Sequence, residues 1–135
     1  MIYFLNLDDV LTLHDLLLTE FSGSAGVRSH ELLASALAQP QASFGGCYLH
    51  DDIVVMAAAY AYHIIKNHPF VDGNKRTGIF TAITFLERND RNVDFAKGEL
   101  YALAVAVATS KLSKEKLAKI LRNAVFVKKR APSKP

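Results

Sequence analysis

Residues 68–78 read HPFVDGNKRTG, a polar turn placed between two stretches that are almost wholly apolar, residues 53–65 and 79–86. Apolar residues on nearly every face of a helix are typical of a helix in the centre of a fold. Asp51 or Asp52 is a suitable N-cap for the first stretch, and Asn89-Asp90 ends the second. The sequence therefore predicts two central helices with the polar turn on the loop between them.

The first half of this turn carries two side chains suited to catalysis. His68 is of the residue type whose ordinary pKa lies near neutrality, so it can take a proton from a hydroxyl nucleophile. Asp72 offers a hard oxygen ligand for Mg²⁺, which usually binds only one or two protein carboxylates together with water and substrate phosphates. These two residues are the predicted base and the predicted metal ligand.

The second half of the turn is suited to holding phosphate. Gly73 allows the backbone to approach an anion closely or to turn through positive φ. Asn74 is a suitable N-cap for the following helix, and its side chain or the neighbouring N–H groups can donate to a phosphate oxygen. Lys75 and Arg76 add positive charge, and the arginine fork fits two phosphate oxygens. Together these residue types indicate phosphoryl or nucleotidyl transfer.

The same residues also have an ordinary structural explanation. His-Pro and Asp-Gly are common in turns, and Asn-Lys-Arg can be a solvated start of a helix. For any single residue this explanation is the better one. The whole set favours a functional site, because a loop that needed only solubility would not have to lie between two buried helices.

Hydrophobic spacing predicts four further helices outward from the central pair. Asn6 and Asp9 resemble a capping box before a helix over 7–21, and Ser29 is an N-cap for a helix that ends before Pro40. A helix follows at about 98–109, and Ser113 caps the last one. Residues 41–49 are predicted to be a loop or a short hairpin, and residues 92–95 a short extended piece. The predicted fold class is all-α, with at most this small hairpin.

Composition indicates an intracellular protein. The chain has 135 residues, which predicts one domain, and Cys47 is its single cysteine, which excludes an intramolecular disulfide. No signal peptide is expected, because the N-terminus lacks a basic region before its apolar residues. No apolar run approaches the ~20 residues that a membrane span requires. We therefore expect a cytoplasmic protein that does not enter the membrane.

The formal charge of +3 comes largely from the end of the chain. We predict a domain over residues 1–126 and a basic, disordered tail over 127–135, interrupted by Pro132 and Pro135. A contact with DNA or with an acidic partner is the alternative role for this tail.

Other candidate residues carry weaker signals. His63 lies five residues before His68, which is not a same-face helical spacing, and no His-Glu-x-x-His occurs, so zinc is not expected. We predict that His63 and His14 are helix-face or core histidines. Cys47 is predicted to be a small buried or hairpin thiol. Arg28 follows the glycine-containing turn at 22–26 and either contacts substrate or holds the second helix.

The motif His68-x-Phe70-x-Asp72-Gly73-Asn74-Lys75-Arg76 resembles the signature of the Fic/Doc superfamily, and the rest of the chain is similar to its Doc (death-on-curing) toxin branch. The similarity extends over nearly the whole chain apart from the basic tail. It implies a compact bundle of about six helices. It also implies a toxin that is paired with a Phd-like antitoxin and contacts DNA only indirectly, through that antitoxin.

The resemblance assigns a role to each residue of the motif. His68 would be the general base, Phe70 would anchor the loop in the core, and Asp72 would hold Mg²⁺. The phosphates of ATP would be bound by Gly73, Asn74, Lys75 and Arg76, and Asn74 and Arg76 would also assist catalysis. Residues 43–48 match a flap against which a target peptide can align by strand addition.

One departure from the signature bears on the reaction. Fic enzymes that transfer AMP carry a second arginine three places after the first, and here that place is Ile79. Members of the Doc branch share this loss and resemble kinases that transfer the γ-phosphate, with a threonine of elongation factor Tu as the known target. Gly73, in contrast, is the Fic-like choice where some Doc members have alanine. Nucleotidyl transfer therefore stays open as the alternative reaction.

The sequence lacks a self-inhibition pattern, and this indicates how the protein would be inhibited. Fic proteins that inhibit themselves carry Ser or Thr with Glu four residues later, and this pattern does not occur here. Inhibition would then come from another chain. A non-catalytic module that only binds an antitoxin is the alternative of a different class, and the intact motif argues against it.

Overall fold

The computed structural model describes residues 1–127 and shows a helical bundle. None of the helices in this part of the chain is long and apolar enough to cross a membrane. The prediction of an all-α fold with about six helices is confirmed. The helices are α1 (Leu7–Phe21), α2 (His30–Ala38), α3 (Ile53–Asn67), α4 (Asn74–Arg88), α5 (Glu99–Ala108) and α6 (Lys114–Ala124).

Side-chain caps define where several helices begin. Asn6 and Asp9 form the expected capping box at the start of α1, each side chain accepting from the backbone N–H of the other residue. Ser29, Asp52 and Ser113 cap α2, α3 and α6 by accepting from backbone N–H groups three residues further on. Of the two aspartates proposed for α3, Asp52 is the cap. These predictions succeed because a cap depends on residues close in sequence.

The two apolar helices lie at the centre, as predicted. Helix α3 packs against α4 more extensively than any other pair of helices, and it also contacts α2, α5 and α6. Gly78 allows α3 and α4 to approach closely, because a Cβ atom there would lie 2.6 Å from Ile65 Cγ1 and 3.0 Å from the Ala61 carbonyl oxygen. The turn between these helices is therefore attached to the most buried part of the molecule.

Two small antiparallel strand pairs complete the described fold. β1 (Ser43–Phe44) pairs with β2 (Cys47–Tyr48), which confirms the hairpin as the better of the two readings of residues 41–49. β3 (Arg91–Val93) pairs with β4 (Val125–Val127). This second pair was not predicted, because α5 and α6 separate its strands in the sequence. The predicted tail lies outside the described residues except for Val127, which belongs to β4.

Candidate active site

The turn between α3 and α4, residues 68–73, is called the motif loop below. Helix α3 ends at Asn67, and His68 is its C-cap. His68 adopts a left-handed conformation with φ 51° and ψ 54°, and its N–H donates to the Ile64 carbonyl oxygen. A left-handed conformation is uncommon outside glycine, and strained residues of this kind cluster at functional sites. The His68 side chain is exposed at this point.

Phe70 anchors the motif loop, as the resemblance implied. Its side chain is fully buried, and both of its backbone polar groups bind the side chain of Asn74. The Phe70 N–H donates to Asn74 Oδ1 at 2.9 Å, and Asn74 Nδ2 donates to the Phe70 carbonyl oxygen at 3.0 Å. Buried backbone groups need such partners, because leaving them unpaired is costly.

The prediction that Asn74 caps α4 is wrong. Asn74 is the first residue of the helix, its side chain is buried, and the N-cap is Gly73 with φ 83°. The Asn74 side chain faces the motif loop, and its amide oxygen and amide nitrogen are both hydrogen-bonded to the Phe70 backbone. Gly73 has no side chain to accept from the first N–H groups of α4, so these groups are the ones left to meet an anion.

Arg28 holds the start of the motif loop. Its Nε donates to the His68 carbonyl oxygen at 2.7 Å and its Nη2 to the Asn67 carbonyl oxygen at 2.9 Å. The backbone N–H groups of Arg28 and Ser29 donate to the Pro69 carbonyl oxygen at 2.7 and 3.0 Å. A guanidinium at the C-terminal end of a helix is also electrostatically favourable. The Arg28 side chain thus holds the motif loop rather than the second helix, and its contact with substrate stays a prediction.

His14 supports the motif loop from the opposite side. It is buried on α1, which confirms it as a core histidine. Its ring stacks on Phe70 with centroids 3.8 Å apart, and its Nε2 donates to the Asp72 carbonyl oxygen at 2.8 Å. This supporting role was missed from the sequence. The available signal was a histidine at an apolar position of α1, which does not reveal a partner 58 residues away.

Asp72 is exposed, and each of its carboxylate oxygens accepts one backbone N–H. Oδ2 accepts from Ser24 at 3.1 Å and Oδ1 from Gly73 at 2.9 Å. These two hydrogen bonds lower the pKa of the Asp72 carboxyl below its usual value. A Cβ atom at Gly23 would lie only 2.8 Å from Asp72 Oδ2, so glycine permits this close approach. Gly23 and Ser24 were not predicted as site residues.

Arg76 lies between two aromatic rings. Its guanidinium carbon is 4.4 Å from the centre of the Phe21 ring and 4.7 Å from the centre of the Tyr101 ring. Both distances are within the range of a cation–π interaction. Phe21 ends α1 and Tyr101 lies on α5, so three helices together position this guanidinium. Neither aromatic residue was predicted to take part in the site.

A small polar cavity of about 70 Å³ opens at the start of α4. It brings together five of the six predicted site residues and adds Tyr101. His68 is not part of its lining and stands at the other end of the motif loop. The polar cavity is lined by Asp72, Gly73, Asn74, Lys75, Arg76 and Tyr101.

The residues present fit a magnesium ion that is shared with a substrate. Among residues 1–127, no three or more His, Cys, Asp or Glu side chains converge on one point, so the chain does not supply a complete metal cage there. Mg²⁺ does not require one, because phosphates and water usually fill most of its six positions. Asp72 is ionised and exposed, and each of its oxygens retains a lone pair beyond the N–H it accepts.

His63 belongs to a separate cluster. Lys114 Nζ lies 3.2 Å from His63 Nε2 and 3.1 Å from His50 Nε2. Burial, the Lys114 charge and the neighbouring His50 lower the pKa of His63 to about 4. The prediction of a helix-face or core histidine is confirmed. Cys47 is an exposed thiol on the hairpin.

Comparison with known proteins agrees with this geometry. The model of the Fic/DOC family matches residues 4–86. A protein named Toxin Doc from Mycolicibacterium smegmatis is 40% identical over 86 residues, which cover 64% of each chain. A protein named Protein kinase doc from Escherichia phage P1 is 30% identical over 115 residues, which cover 85% of this chain and 90% of the phage protein. The family match includes the whole motif loop and the start of α4, and the chain belongs to the Fic/DOC family.

Proposed function

We propose that this chain is a Doc-type toxin with kinase activity, which transfers the γ-phosphate of ATP to a hydroxyl group of a translation factor. Elongation factor Tu is the target we propose, and inhibition of translation the consequence. The observation that supports this most is the polar cavity, where an ionised carboxylate, two cations and the start of α4 meet, with the exposed His68 at the other end of the motif loop. The names of the two relatives, a toxin and a protein kinase, support the same assignment.

The start of α4 would bind the phosphates. The first N–H groups of a helix point outward and carry partial positive charge, and the Gly73 cap leaves them without a side-chain acceptor. Lys75 and Arg76 line the same cavity and add two full charges. Asn74 contributes through its backbone, because its side chain holds Phe70. Mg²⁺ bound by Asp72 would neutralise part of the triphosphate charge.

His68 would act as the general base. Its N–H and carbonyl oxygen are both held, by Ile64 and Arg28, while its ring is exposed to solvent and to an incoming hydroxyl. In the transfer, the hydroxyl oxygen forms a bond to the γ-phosphorus as the bond to the bridging oxygen breaks. The hydroxyl proton passes to His68, and ADP leaves. Most of the rate enhancement would come from positioning and charge neutralisation.

The β1–β2 hairpin, residues 43–48, is called the flap below. Every one of its residues is exposed, and Phe44 is 82% exposed. A two-stranded pair leaves unpaired backbone groups on its outer edges, to which a target peptide can add as a further strand. We propose that the flap aligns the target segment that carries the hydroxyl.

Control of this activity would come from a second protein. We propose a Phd-like antitoxin as that partner, with DNA contacted through the antitoxin and with the cytoplasm as the place of action. The absence of a self-inhibiting Ser/Thr-to-Glu pattern in the sequence supports this arrangement.

The experiment that tests the proposal uses the purified chain with Mg²⁺, elongation factor Tu and ATP labelled at either the γ- or the α-phosphate. Label transferred from the γ position alone, and lost in a His68→Ala variant, is the expected result. Transfer from the α position would replace the kinase with a nucleotidyltransferase. Absence of ATP·Mg²⁺ binding in a chain that still binds an antitoxin would reduce the protein to a binding module.

A further inference from the structure

The histidine–lysine cluster, which consists of His50, His63 and Lys114, has no part in the proposed reaction. Lys114 Nζ is 3.1 Å from His50 Nε2 and 3.2 Å from His63 Nε2. An ammonium group is only a donor, so both Nε2 atoms are acceptors and both rings carry their proton on Nδ1. Two imidazole lone pairs therefore point toward one position, which the Lys114 ammonium occupies.

Two converging imidazoles are also suited to a transition metal. Neutral imidazole nitrogen is a preferred ligand of Zn²⁺, Ni²⁺ and Cu²⁺, and it binds them through the same lone pair that accepts from an ammonium. A Zn–N bond is about 2.0–2.1 Å long, so each ring has to come about 1 Å closer to the position of the ammonium. His50 precedes α3 and His63 lies in its second half, so only the fold brings the two rings together.

The Lys114 side chain has room to leave this position. It is half-buried at the start of α6, its four-carbon stem is flexible, and it lines a cavity of about 450 Å³ together with His50. His50, in contrast, is only 8% exposed and is held by its surroundings. Among residues 1–127 no third His, Cys, Asp or Glu side chain converges on the two rings. Water from the cavity would therefore complete the coordination of an ion, as it does at the open position of catalytic zinc sites.

We propose that His50 and His63 bind a divalent late transition metal ion, with Zn²⁺ as the first candidate, in exchange for the Lys114 ammonium. The exchange releases the start of α6 from the cluster and links α3, through the ion, to the segment that follows the flap. Both ligands are nitrogen atoms, so the site does not compete for Mg²⁺, which prefers oxygen. The proposal is therefore independent of Asp72 and of the proposed function.

The first test titrates Zn²⁺ into the metal-free chain by isothermal titration calorimetry. We expect one ion per wild-type chain, at least tenfold weaker binding in His63→Gln, and at least tenfold tighter binding in Lys114→Met, which removes the competing cation. Lys119→Met is the matched control, because Lys119 lies on α6 and lines the same cavity but does not belong to the cluster, so the Kd should change less than threefold. Absence of binding in the wild type, wild-type affinity in His63→Gln, or unchanged affinity in Lys114→Met overturns the proposal.

The second test identifies the ligands on the wild-type chain, so it does not depend on whether a variant folds. Long-range proton–nitrogen NMR spectra of the histidine rings report the state of each imidazole nitrogen. We expect Zn²⁺ to shift the Nε2 signals of His50 and His63 and to leave the exposed His30 unchanged. Shifts confined to His30 or His68 would place the ion elsewhere and overturn the proposal.

Discussion

The backbone of the motif loop is held by other parts of the fold, whereas the flap is fully exposed. Four backbone groups of the motif loop have a partner in another segment: the carbonyl oxygens of His68 and Pro69 bind Arg28, the Val71 N–H binds Gly26, and the Asp72 carbonyl oxygen binds His14. The flap consists of two residue pairs joined by Gly45 and Gly46, all of them exposed, and a Cβ atom at either glycine would meet nothing within 4 Å.

This difference indicates a division of labour. Groups that bind phosphate and move a proton must be held within a fraction of an ångström of their working positions. A surface that accepts a peptide strand needs free backbone groups and room to adjust, and exposed segments with few contacts open at low free-energy cost. The proposed chemistry therefore lies on the constrained segment, and the proposed recognition on the exposed one.

Replacing His68, the proposed base, should lower activity without lowering stability. We expect His68→Ala to lower the rate of γ-phosphate transfer by about 10²–10⁴-fold, because a positioned general base contributes on that order. The free energy of unfolding should change by less than about 1 kcal/mol, since the ring is exposed. Initial rates and thermal unfolding measure the two effects. His30→Ala, an exposed histidine at the start of α2, is the control, and undiminished transfer in His68→Ala would remove the assignment.

Breaking the support of the motif loop should affect stability and activity together. In Asn74→Leu the buried N–H and carbonyl oxygen of Phe70 both lose their partner. We expect a loss of roughly 2–5 kcal/mol of unfolding free energy, because each unpaired buried group costs about 1–3 kcal/mol. Chemical denaturation measures it. Asn123→Leu on the exposed face of α6 serves as the control, and a similarly small change in both variants would show that the motif loop does not depend on this side chain.

A change in the flap should leave the chemistry intact. We expect Phe44→Ala to lower kcat/KM for the protein target by about 5–30-fold, equivalent to one or two kcal/mol, without altering the KM of ATP. Stability should stay within about 0.5 kcal/mol, because Phe44 is exposed. Phe126→Ala, an exposed aromatic on β4, provides the comparison. If Phe44→Ala changed the KM of ATP instead, the flap would belong to the nucleotide site.

The chain segment that leaves the flap is attached to a cluster that should respond to pH. His50 lies two residues after the end of the flap, and Lys114 contacts both His50 and His63. The pKa of His63 is about 4 in the folded protein and about 6.5 when unfolded, so the unfolded chain binds more protons between these values. Stability should consequently fall as the pH falls from about 6.5 to about 4.

This pH dependence can be assigned to His63 by substitution. His63→Gln keeps an acceptor for Lys114 and removes the titration, so we expect a smaller difference in stability between pH 7 and pH 4.5 than in the wild type. Denaturant titrations at the two pH values measure that difference. His30→Gln, an exposed histidine, should behave like the wild type. An unchanged difference in His63→Gln would mean that other groups carry the pH dependence.

The sequence by itself determined the features that depend on near neighbours. The caps at Asn6, Ser29 and Ser113 act over three residues, and helical periodicity acts over four, so the six helices were predicted with nearly correct ends. The two apolar helices also indicated where the motif loop had to lie. Residue types at positions 68–76 predicted phosphate chemistry, and this stays a prediction.

Only the tertiary structure decided what meets across long separations. His14 reaches Asp72 over 58 residues, Arg28 reaches His68 over 40, and β3 pairs with β4 across two helices. No local pattern encodes such contacts, because they depend on how the helices pack. Asn74 shows the limit most clearly: its type suits a helix cap, but the buried backbone of Phe70 needed a partner, and burial prevailed over local preference.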